Sequence, residues 1–409
     1  MAGIIRKYTD IVGESVIEEL FILAERFGDR TVQNVNSTAV GGGVAEILNR
    51  MVPLLNELGV STTWDVIKGG ERFFEVTKKM HNALHACQVE FTPEDWDVFA
   101  ETTEANVETM DITGDVVFIH DSQPIGLIKK RRENDNGSRW VWRCHVDFSS
   151  PDPVVWKFLK KFIEKYDASV FSAPQFSKPL KTRQALISPS IDPLSPKNRE
   201  LKDSEISGVL ERFNIDPELP IITQISRFDY LKDPVGVVEV YRIVKKNVDC
   251  QLILAGGGAT DDPEGEAVLA QVREAAGDDP HIHVLLLPPA SDIEINALQR
   301  ASAVVLQKSL REGFGLTVAE ALWKSRPVVA SAVGGIPLQI AHEYSGLLSY
   351  TIEGTAFWVK QILQNPELGE KLGRNGREHI RNNFLITRHI REYLLLFHSL
   401  YHEEDVVHL

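Results

Sequence analysis

Cysteine is scarce in this chain of 409 residues: Cys87, Cys144 and Cys250 are its three, far apart and with no C-x-x-C pair. That excludes a disulfide framework, and buried free thiols in a reducing cytoplasm are the expectation. No His/Cys cluster has the spacing of a zinc site, so no metal site is expected. No stretch of about 18 uncharged apolar residues occurs, which argues against a membrane helix. The start, Met1-Ala2-Gly3-Ile4-Ile5-Arg6-Lys7, meets charge too soon for a signal-peptide apolar region. Positive charge is also short, with Lys+Arg 44 against Asp+Glu 58 and a formal net charge of −14. A general nucleic-acid binder would show the opposite field. In so acidic a chain, a site for an anionic ligand requires locally concentrated Arg, Lys or backbone N–H groups.

Other signatures are missing too. There is no G-x-S-x-G. The P-loop is absent because Gly256-Gly257-Gly258 continues as Ala259-Thr260 rather than Lys-Ser/Thr. Gly41-Gly42-Gly43 is not G-x-G-x-x-G, and the nearest acidic residue for a ribose contact, Asp65, falls inside a strand. Both facts count against a nicotinamide enzyme.

What remains is an ordinary soluble composition, 43% hydrophobic and 25% charged, on a chain long enough for two domains with separate cores. After an apolar-periodic helix over Val16 to Phe27, strands over Thr31–Asn36, Thr62–Ile67, Val116–His120, Trp140–His145, Ala168–Ser172 and Leu186–Ile187 alternate with helical stretches. One such helix runs from Val44 to about Leu58, and others lie between Phe73 and Met110. Near residue 190 the texture changes: Ser188-Pro189-Ser190-Ile191-Asp192-Pro193-Leu194-Ser195-Pro196 holds three prolines and reads as a connection between domains. The rhythm then restarts, with strands at Ile221–Ile225, Gln251–Ala255, His283–Leu287, Ala303–Leu306 and Pro327–Ala330, and helices that include Val235–Lys246 and Glu264–Ala276. The expected architecture is α/β, with two doubly wound Rossmann-like domains facing each other across a cleft, over 1–190 and 191–387. An amphipathic last helix, somewhere in 388–409, is expected to return onto the first domain. In such sheets ligands bind at the carboxyl ends of strands.

The segment Arg311-Glu312-Gly313-Phe314-Gly315-Leu316-Thr317-Val318-Ala319-Glu320-Ala321-Leu322-Trp323 carries most of the functional information. A strand, a glycine-bearing turn and a helix start make a backbone anion site. Glu312 and Glu320 would repel a bare phosphate, but they suit a ligand carrying hydroxyls on both sides of its diphosphate, as a nucleotide-sugar does. The plainer alternative is a helix N-terminal charge and a solvated helix residue. Arg227 and Lys232, in S-R-F-D-Y-L-K-D-P just past the Ile221–Ile225 strand, suit diphosphate neutralisation; alternatively they are surface cations paired locally with Asp229 and Asp233. Gly41-Gly42-Gly43, with Glu46 in the first turn of the following helix, lets backbone approach a ligand closely, or is a tight turn. His120-Asp121 and His145 with Asp147 close two strands of the first domain, where a histidine can bond a substrate hydroxyl or is simply structural. Asp95-Trp96-Asp97 has the look of a D-x-D metal motif. Thr92 as cap and Pro93 as first helical residue explain it as helix N-terminal acids.

Together these features resemble the retaining GT-B glycosyltransferases of family four, in which the two glutamates of an E-x7-E motif, an Arg/Lys pair and a glycine-rich N-terminal loop bind a nucleotide-sugar. Within that family the closer likeness is to the trehalose synthase subfamily, carried by N-S-T-A-V-G-G-G-V-A-E-I-L (36–48), W-R-C-H-V-D-F-S-S-P (142–151), P-S-I-D-P-L-S-P-K-N (189–198) and I-T-Q-I-S-R-F-D (222–229). The resemblance implies that Glu320 holds ribose hydroxyls and Glu312 those of the donor sugar. It implies that Arg227 and Lys232 neutralise the diphosphate with N–H groups around Gly313, Phe314, Gly315, Leu316 and Thr317, and that Gly42 and Gly43 approach phosphate and sugar. His145 would contact the donor sugar near its reacting carbon, and Glu46 and Asp121 would lie on the acceptor side. One departure is plain: where many members have D-G-x-x-G-x-L, this chain has His342-Glu343-Tyr344-Ser345-Gly346-Leu347-Leu348.

The implied reaction transfers glucose from a nucleoside diphosphate glucose (UDP-, ADP- or GDP-glucose) to free glucose, with retention, forming trehalose. No permanently bound cofactor and no metal are implied, and a homodimer is. The competing readings are a retaining trehalose phosphorylase, a family-four glucosyltransferase with another small acceptor, a non-catalytic nucleotide or sugar binder, and a nicotinamide oxidoreductase.

Overall fold

The computed structural model describes residues 3–40, 42–131, 137–257 and 263–402. The described residues fall into two compact units, Met1–Pro189 with Ile386–Leu409, and Ser190–Leu385. No described helix is long and apolar enough to cross a membrane.

The first unit is built on six strands: β1 (Val32–Asn36), β2 (Thr62–Val66), β3 (Val116–His120), β4 (Arg139–Arg143), β5 (Ala168–Phe171) and β6 (Arg183–Leu186). All pair in parallel in the order β2-β1-β3-β4-β5-β6. The burial of every residue of β1 and β3 is what a parallel strand covered on both faces requires. Strand order reverses between β1 and β3, so their carboxyl ends, at Asn36 and His120, flank the crevice where a doubly wound sheet holds its ligand. The helix Ile386–Tyr401 packs on the helix Glu14–Phe27 through the Phe27 and Phe397 rings, 5.8 Å apart, and an ion pair of Arg391 with Glu19 at 2.8 Å. Its Tyr393 meets Phe118 of β3 edge-on at 4.8 Å.

The second unit has β7 (Ile221–Ile225), β8 (Gln251–Gly256), β9 (Ile282–Leu286), β10 (Val304–Gln307), β11 (Val328–Ser331) and β12 (Leu347–Ser349), parallel throughout, in the order β12-β11-β10-β7-β8-β9. This is the dinucleotide-fold order with its switch point between β7 and β10. Side-chain alternation fills both covering layers. Ile222, Leu252 and Leu254 join the cluster under the helices Pro234–Lys245 and Ile352–Gln364, whereas Ile221, Ile225, Ile253 and Ala255 join the one under Asp203–Arg212 and Asp292–Ala301. The α/β class expected from the alternating pattern is the class observed.

Several details differ from the sequence expectations. The strand placed at Leu186–Ile187 lies earlier, at Arg183–Leu186, and is an edge strand with three of its four residues exposed, so apolar content gave no cue. β12 was not anticipated, because three residues, Leu347-Leu348-Ser349, show no period. Cys144 and Cys250 are buried but Cys87 is only partly so, and none of the three is in a disulfide. Glu343 occupies the position where the family pattern has glycine and adopts φ 63°, a left-handed conformation that glycine takes more easily. By contrast, the proline-rich stretch near 190 lies where the two units divide, and it is largely buried, with Asn198 Nδ2 and Ser195 Oγ both donating to the Asp192 carbonyl.

Glycine is required at the end of β8, next to the β7 turn: a Cβ on Gly256 would lie 1.7 Å from the Ser226 carbonyl oxygen. Gly256→Ala is therefore expected to cost about 3 kcal/mol as an overpacked backbone contact and to lower the thermal unfolding midpoint. Gly257→Ala, whose Cβ would meet Leu287 O at 3.8 Å, should leave the midpoint nearly unchanged.

Candidate functional site

In the second unit the turns after β7 and β10 lie on either side of the switch point and are tied together. Leu310 N donates to Leu231 O at 2.8 Å, and Gln224 Nε2 to Lys232 O at 2.9 Å, while Gln224 Oε1 accepts from Lys308 N at 2.8 Å. The turn after β7 is a single 3-10 turn, Tyr230–Lys232, capped by Asp229, and Asp233 then caps the next helix by accepting from Gly236 N. This fixes Lys232 so that its Nζ lies 2.7 Å from Glu312 Oε2. Ser309 Oγ and Gln307 Nε2 donate to the same oxygen, at 3.1 and 3.3 Å. Three donors converging on one carboxylate oxygen hold Glu312 in place.

Glycines press the segment after Glu312 against the turn that follows β11. A Cβ on Gly334 would meet Glu312 O at 1.5 Å, and one on Gly335 would meet Gly313 O at 2.6 Å. Phe314 is buried, its ring 5.5 Å from that of Phe384 and its carbonyl accepting from Gln339 Nε2 at 2.5 Å. Gly315 turns left-handed at φ 83° and begins the helix Leu316–Trp323, which no described side chain caps. Its first N–H groups, at Leu316 and Thr317, stand at the positive end of the helix dipole beside the switch point, which is the chemistry of an anion site.

Glu320 is 3% exposed, so the solvated-helix alternative fails for it. Its Oε1 is 3.8 Å from Lys197 Nζ. Behind it, Lys324 is also buried and donates to Gln299 Oε1, Asn198 Oδ1 and the Glu320 carbonyl at 2.7, 2.9 and 3.1 Å. Burial pulls the Lys324 ammonium down to about 7, with Glu320 acting in the opposite direction. Arg227 is the most exposed of these groups, its side chain 56% accessible and its Nη2 3.3 Å from Asp229 Oδ2. Local pairing thus describes Arg227 but not Lys232, since Asp233 is taken by Lys308.

In the first unit, Asn36 closes β1 and directs the following loop by donating from Nδ2 to Thr38 O at 2.8 Å. Gly41 lies outside the described residues. Gly42, exposed at φ 83°, precedes the helix Gly43–Glu57, and Glu46 sits partly buried in its first turn, its N–H bonded to Gly42 O. After β3, Asp121 adopts φ 66° and accepts from the backbone N–H of His145 at 2.7 Å. Burial raises its carboxyl to about 6, against the lowering effects of that bond and of Arg143. His120 Nδ1 is 3.0 Å from His145 Nε2, and His120 Nε2 is 3.1 Å from Asn34 Oδ1. Burial and the Arg143 charge lower both imidazoles, His120 to about 3, so both rings are neutral at pH 7. Asp147 is buried and accepts from Ser149 N at 2.9 Å, as a turn residue does. Asp95 completes the capping box with Thr92 and pairs with Arg72 and Lys79, as expected of a helix-start acid.

The structure therefore brings Lys232, Glu312, Gly313, Phe314, Gly315, Leu316 and Thr317 to one switch point, with Glu320 on the same helix start and Arg227 on the same β7 turn. It brings His120, Asp121 and His145 to another. Sequence reading missed Gln307, Ser309, Lys197 and Lys324 around the glutamates, and Asn34 and Arg143 beneath the histidines. Lys197 and Asn198 stood in a segment, 189–198, read only for its family likeness, and Asn34 in a strand that was given no site role.

Residues 34–178 match the family described as "Trehalose synthase, N-terminal domain", and residues 210–379 that described as "Glycosyl transferases group 1". The chain is 43% identical over 399 residues to a trehalose synthase of Pyrococcus horikoshii, covering 96% of this chain and 95% of the relative. It is 44% identical over 398 residues to that of Pyrococcus furiosus, covering 96% of each. Among solved structures, the trehalose-6-phosphate synthase OtsA superposes with a TM-score of 0.74 at 15% identity, covering 92% of this chain and 99% of that one, a likeness of GT-B fold. Two parallel doubly wound sheets, matches to both family domains and near-full-length identity lead to one conclusion: the chain is a GT-B glycosyltransferase belonging to the trehalose synthase family.

Proposed function

We propose that the protein forms trehalose by transferring glucose from a nucleoside diphosphate glucose to free glucose with retention. The observation that carries this reading is the pair of buried carboxylates, Glu312 and Glu320, flanking an uncapped helix start at the β7/β10 switch point. An anion site bordered by two hydroxyl acceptors fits a diphosphate with a sugar on each side. Glu320 takes the ribose hydroxyls and Glu312 those of the transferred glucose. Arg227, Lys232 and the N–H groups at Leu316 and Thr317 stabilise the departing diphosphate, with Gly42 and Gly43 supplying backbone contacts to phosphate and sugar. His145 is assigned to the donor glucose, and Glu46 and Asp121 to the acceptor. With no carboxylate assigned as nucleophile, the step is a front-face displacement: the leaving phosphate oxygen takes the proton of the attacking glucose hydroxyl as the old glycosidic bond breaks and the new one forms. Three cysteines without a disulfide fit a reducing cytoplasm.

Three measurements test this. Supplying glucose with UDP-, ADP- and GDP-glucose in parallel should yield trehalose and the matching nucleoside diphosphate. Trehalose plus phosphate, offered as a control, should give no glucose 1-phosphate, and efficient phosphorolysis there would replace the proposal by a phosphorylase. Arg227→Ala should lower kcat by about 3 kcal/mol, a factor on the order of 10², the scale of one preorganised charge contact; near-native turnover would remove Arg227 from the mechanism. Glu320→Gln should raise the nucleotide-glucose KM roughly 10- to 100-fold, as expected for lost charge-assisted hydrogen bonds of about 1.5–3 kcal/mol. An unchanged KM would mean that no ribose is held there.

A further inference from the structure

We infer that a one-way chain of hydrogen bonds crossing four strands of the first unit fixes His145 as a hydrogen-bond acceptor at Nδ1, so that it recognises a sugar hydroxyl, with Asn34 and His120 as its positioning residues. The inference rests on the assignment of His145 to the donor glucose and goes on to state which chemical group it takes.

The direction of the chain follows from its first member. Asn34 Nδ2 lies 3.2 Å from the backbone carbonyl of Thr63 in β2, and a carbonyl can only accept. The amide of Asn34 in β1 is thereby oriented, and its Oδ1 faces His120 Nε2 at 3.1 Å. An amide oxygen also only accepts, so the proton of His120 is on Nε2. In a neutral ring Nδ1 is then bare, and it stands 3.0 Å from His145 Nε2, which must be the donor. A neutral His145 with its proton on Nε2 has a lone pair at Nδ1, an atom with no partner among the described residues, on a side chain that is only partly buried. Each link is dictated by the one before it, and none can be reversed without leaving the Thr63 carbonyl facing another acceptor.

The charged and titratable groups around the rings keep this assignment in place. Arg143, at the end of β4, is wholly buried; its Nη2 is 3.3 Å from Ser172 Oγ, and its Nε and Nη1 have no hydrogen-bond partner. Its cation opposes adding a proton to His120, His145 or, on the last helix, His389. Asp121 bonds the backbone of His145 rather than its ring. A bare imidazole nitrogen repels a phosphate oxygen and accepts from an O–H, so this position selects a hydroxyl over an anion. The chain ends at His145 Nδ1, on a partly exposed side chain, where a hydroxyl from outside the protein can reach it.

The test uses the full chain labelled with 15N-histidine, its 12 histidines distinguished with the help of His120→Gln and His145→Gln. At pH 7, long-range 1H–15N spectra should show His120 and His145 each as a single tautomer protonated at Nε2; an Nδ1–H signal from either would overturn the inference. Next, binding is measured for the deoxyfluoro analogues of whichever of UDP-, ADP- and GDP-glucose turns over fastest. Fluorine cannot donate, so one ring position should lose about tenfold in affinity, the effect of one hydrogen bond left unmade. That loss should vanish in His145→Ala. A fluorine penalty that is the same at every position, or that persists in His145→Ala, refutes the role. In Asn34→Leu, an Nδ1–H population should appear at His145 and the fluorine penalty should shrink, whereas a merely structural Asn34 would change stability and leave both untouched. Should that variant not fold, the wild-type spectrum and His145→Ala decide alone. If no nucleotide-glucose turns over, the glucosyl-transfer proposal fails, while the spectrum still reads the chain.

Discussion

The contact on which the proposed chemistry of the second unit depends is the ion pair between Lys232 and Glu312, at 2.7 Å across the β7/β10 switch point. Both groups are mostly shielded from water, where the attraction between opposite charges is stronger but so is the cost of leaving either one unpaired, and Ser309 and Gln307 complete the hydrogen bonding. Without the lysine, Glu312 would place a bare negative charge beside the Leu316–Trp323 helix start and oppose any anion there. With it, the carboxylate is compensated and still able to accept hydroxyls, while the lysine remains close to the positive end of the helix. One side chain therefore reconciles two demands that conflict when read from the sequence alone: carboxylates for sugar and positive potential for phosphate.

Glu320 meets the same problem differently. Its counter-charges are Lys197, at 3.8 Å, and the buried Lys324, whose ammonium is drawn down to about 7 and whose three hydrogen bonds run to two amide oxygens and a backbone carbonyl. Under the proposed function Glu320 accepts from two neighbouring hydroxyls of the ligand, and a carboxylate has two oxygens to offer them.

Much of this was legible because parallel, doubly wound sheets write themselves in buried apolar runs. Ile221–Ile225 needed no tertiary knowledge, and neither did the strand and turn before Glu312. Where apolar content failed, so did the reading. β6 lies at a sheet edge with exposed residues, and β12 is too short for any period. Side-chain pairing was the least visible layer. Lys232 was weighed against Asp233, its sequence neighbour, but the capping geometry gives Asp233 to Gly236 N and Lys308, and gives Lys232 to a residue 80 positions away.

β1 did carry a signal that hydrophobic patterning passes over. Its sequence is Val32-Gln33-Asn34-Val35-Asn36, and all five residues are buried. Three amides inside a fully covered parallel strand are costly unless each is satisfied, and each is. Gln33 bridges Asp65 to the backbone at Asp111, Thr113 and Gly114; Asn36 accepts from Trp64 and donates to Thr38; Asn34 joins the Thr63 carbonyl to His120. Amides are suited to this because each carries a donor and an acceptor at fixed separation, so a row of them transmits orientation from one strand to the next without adding charge. A buried strand that interrupts its valines with amides is therefore read best as wiring. Here the wire runs from backbone that cannot change its polarity to a ring nitrogen that would otherwise be free to choose.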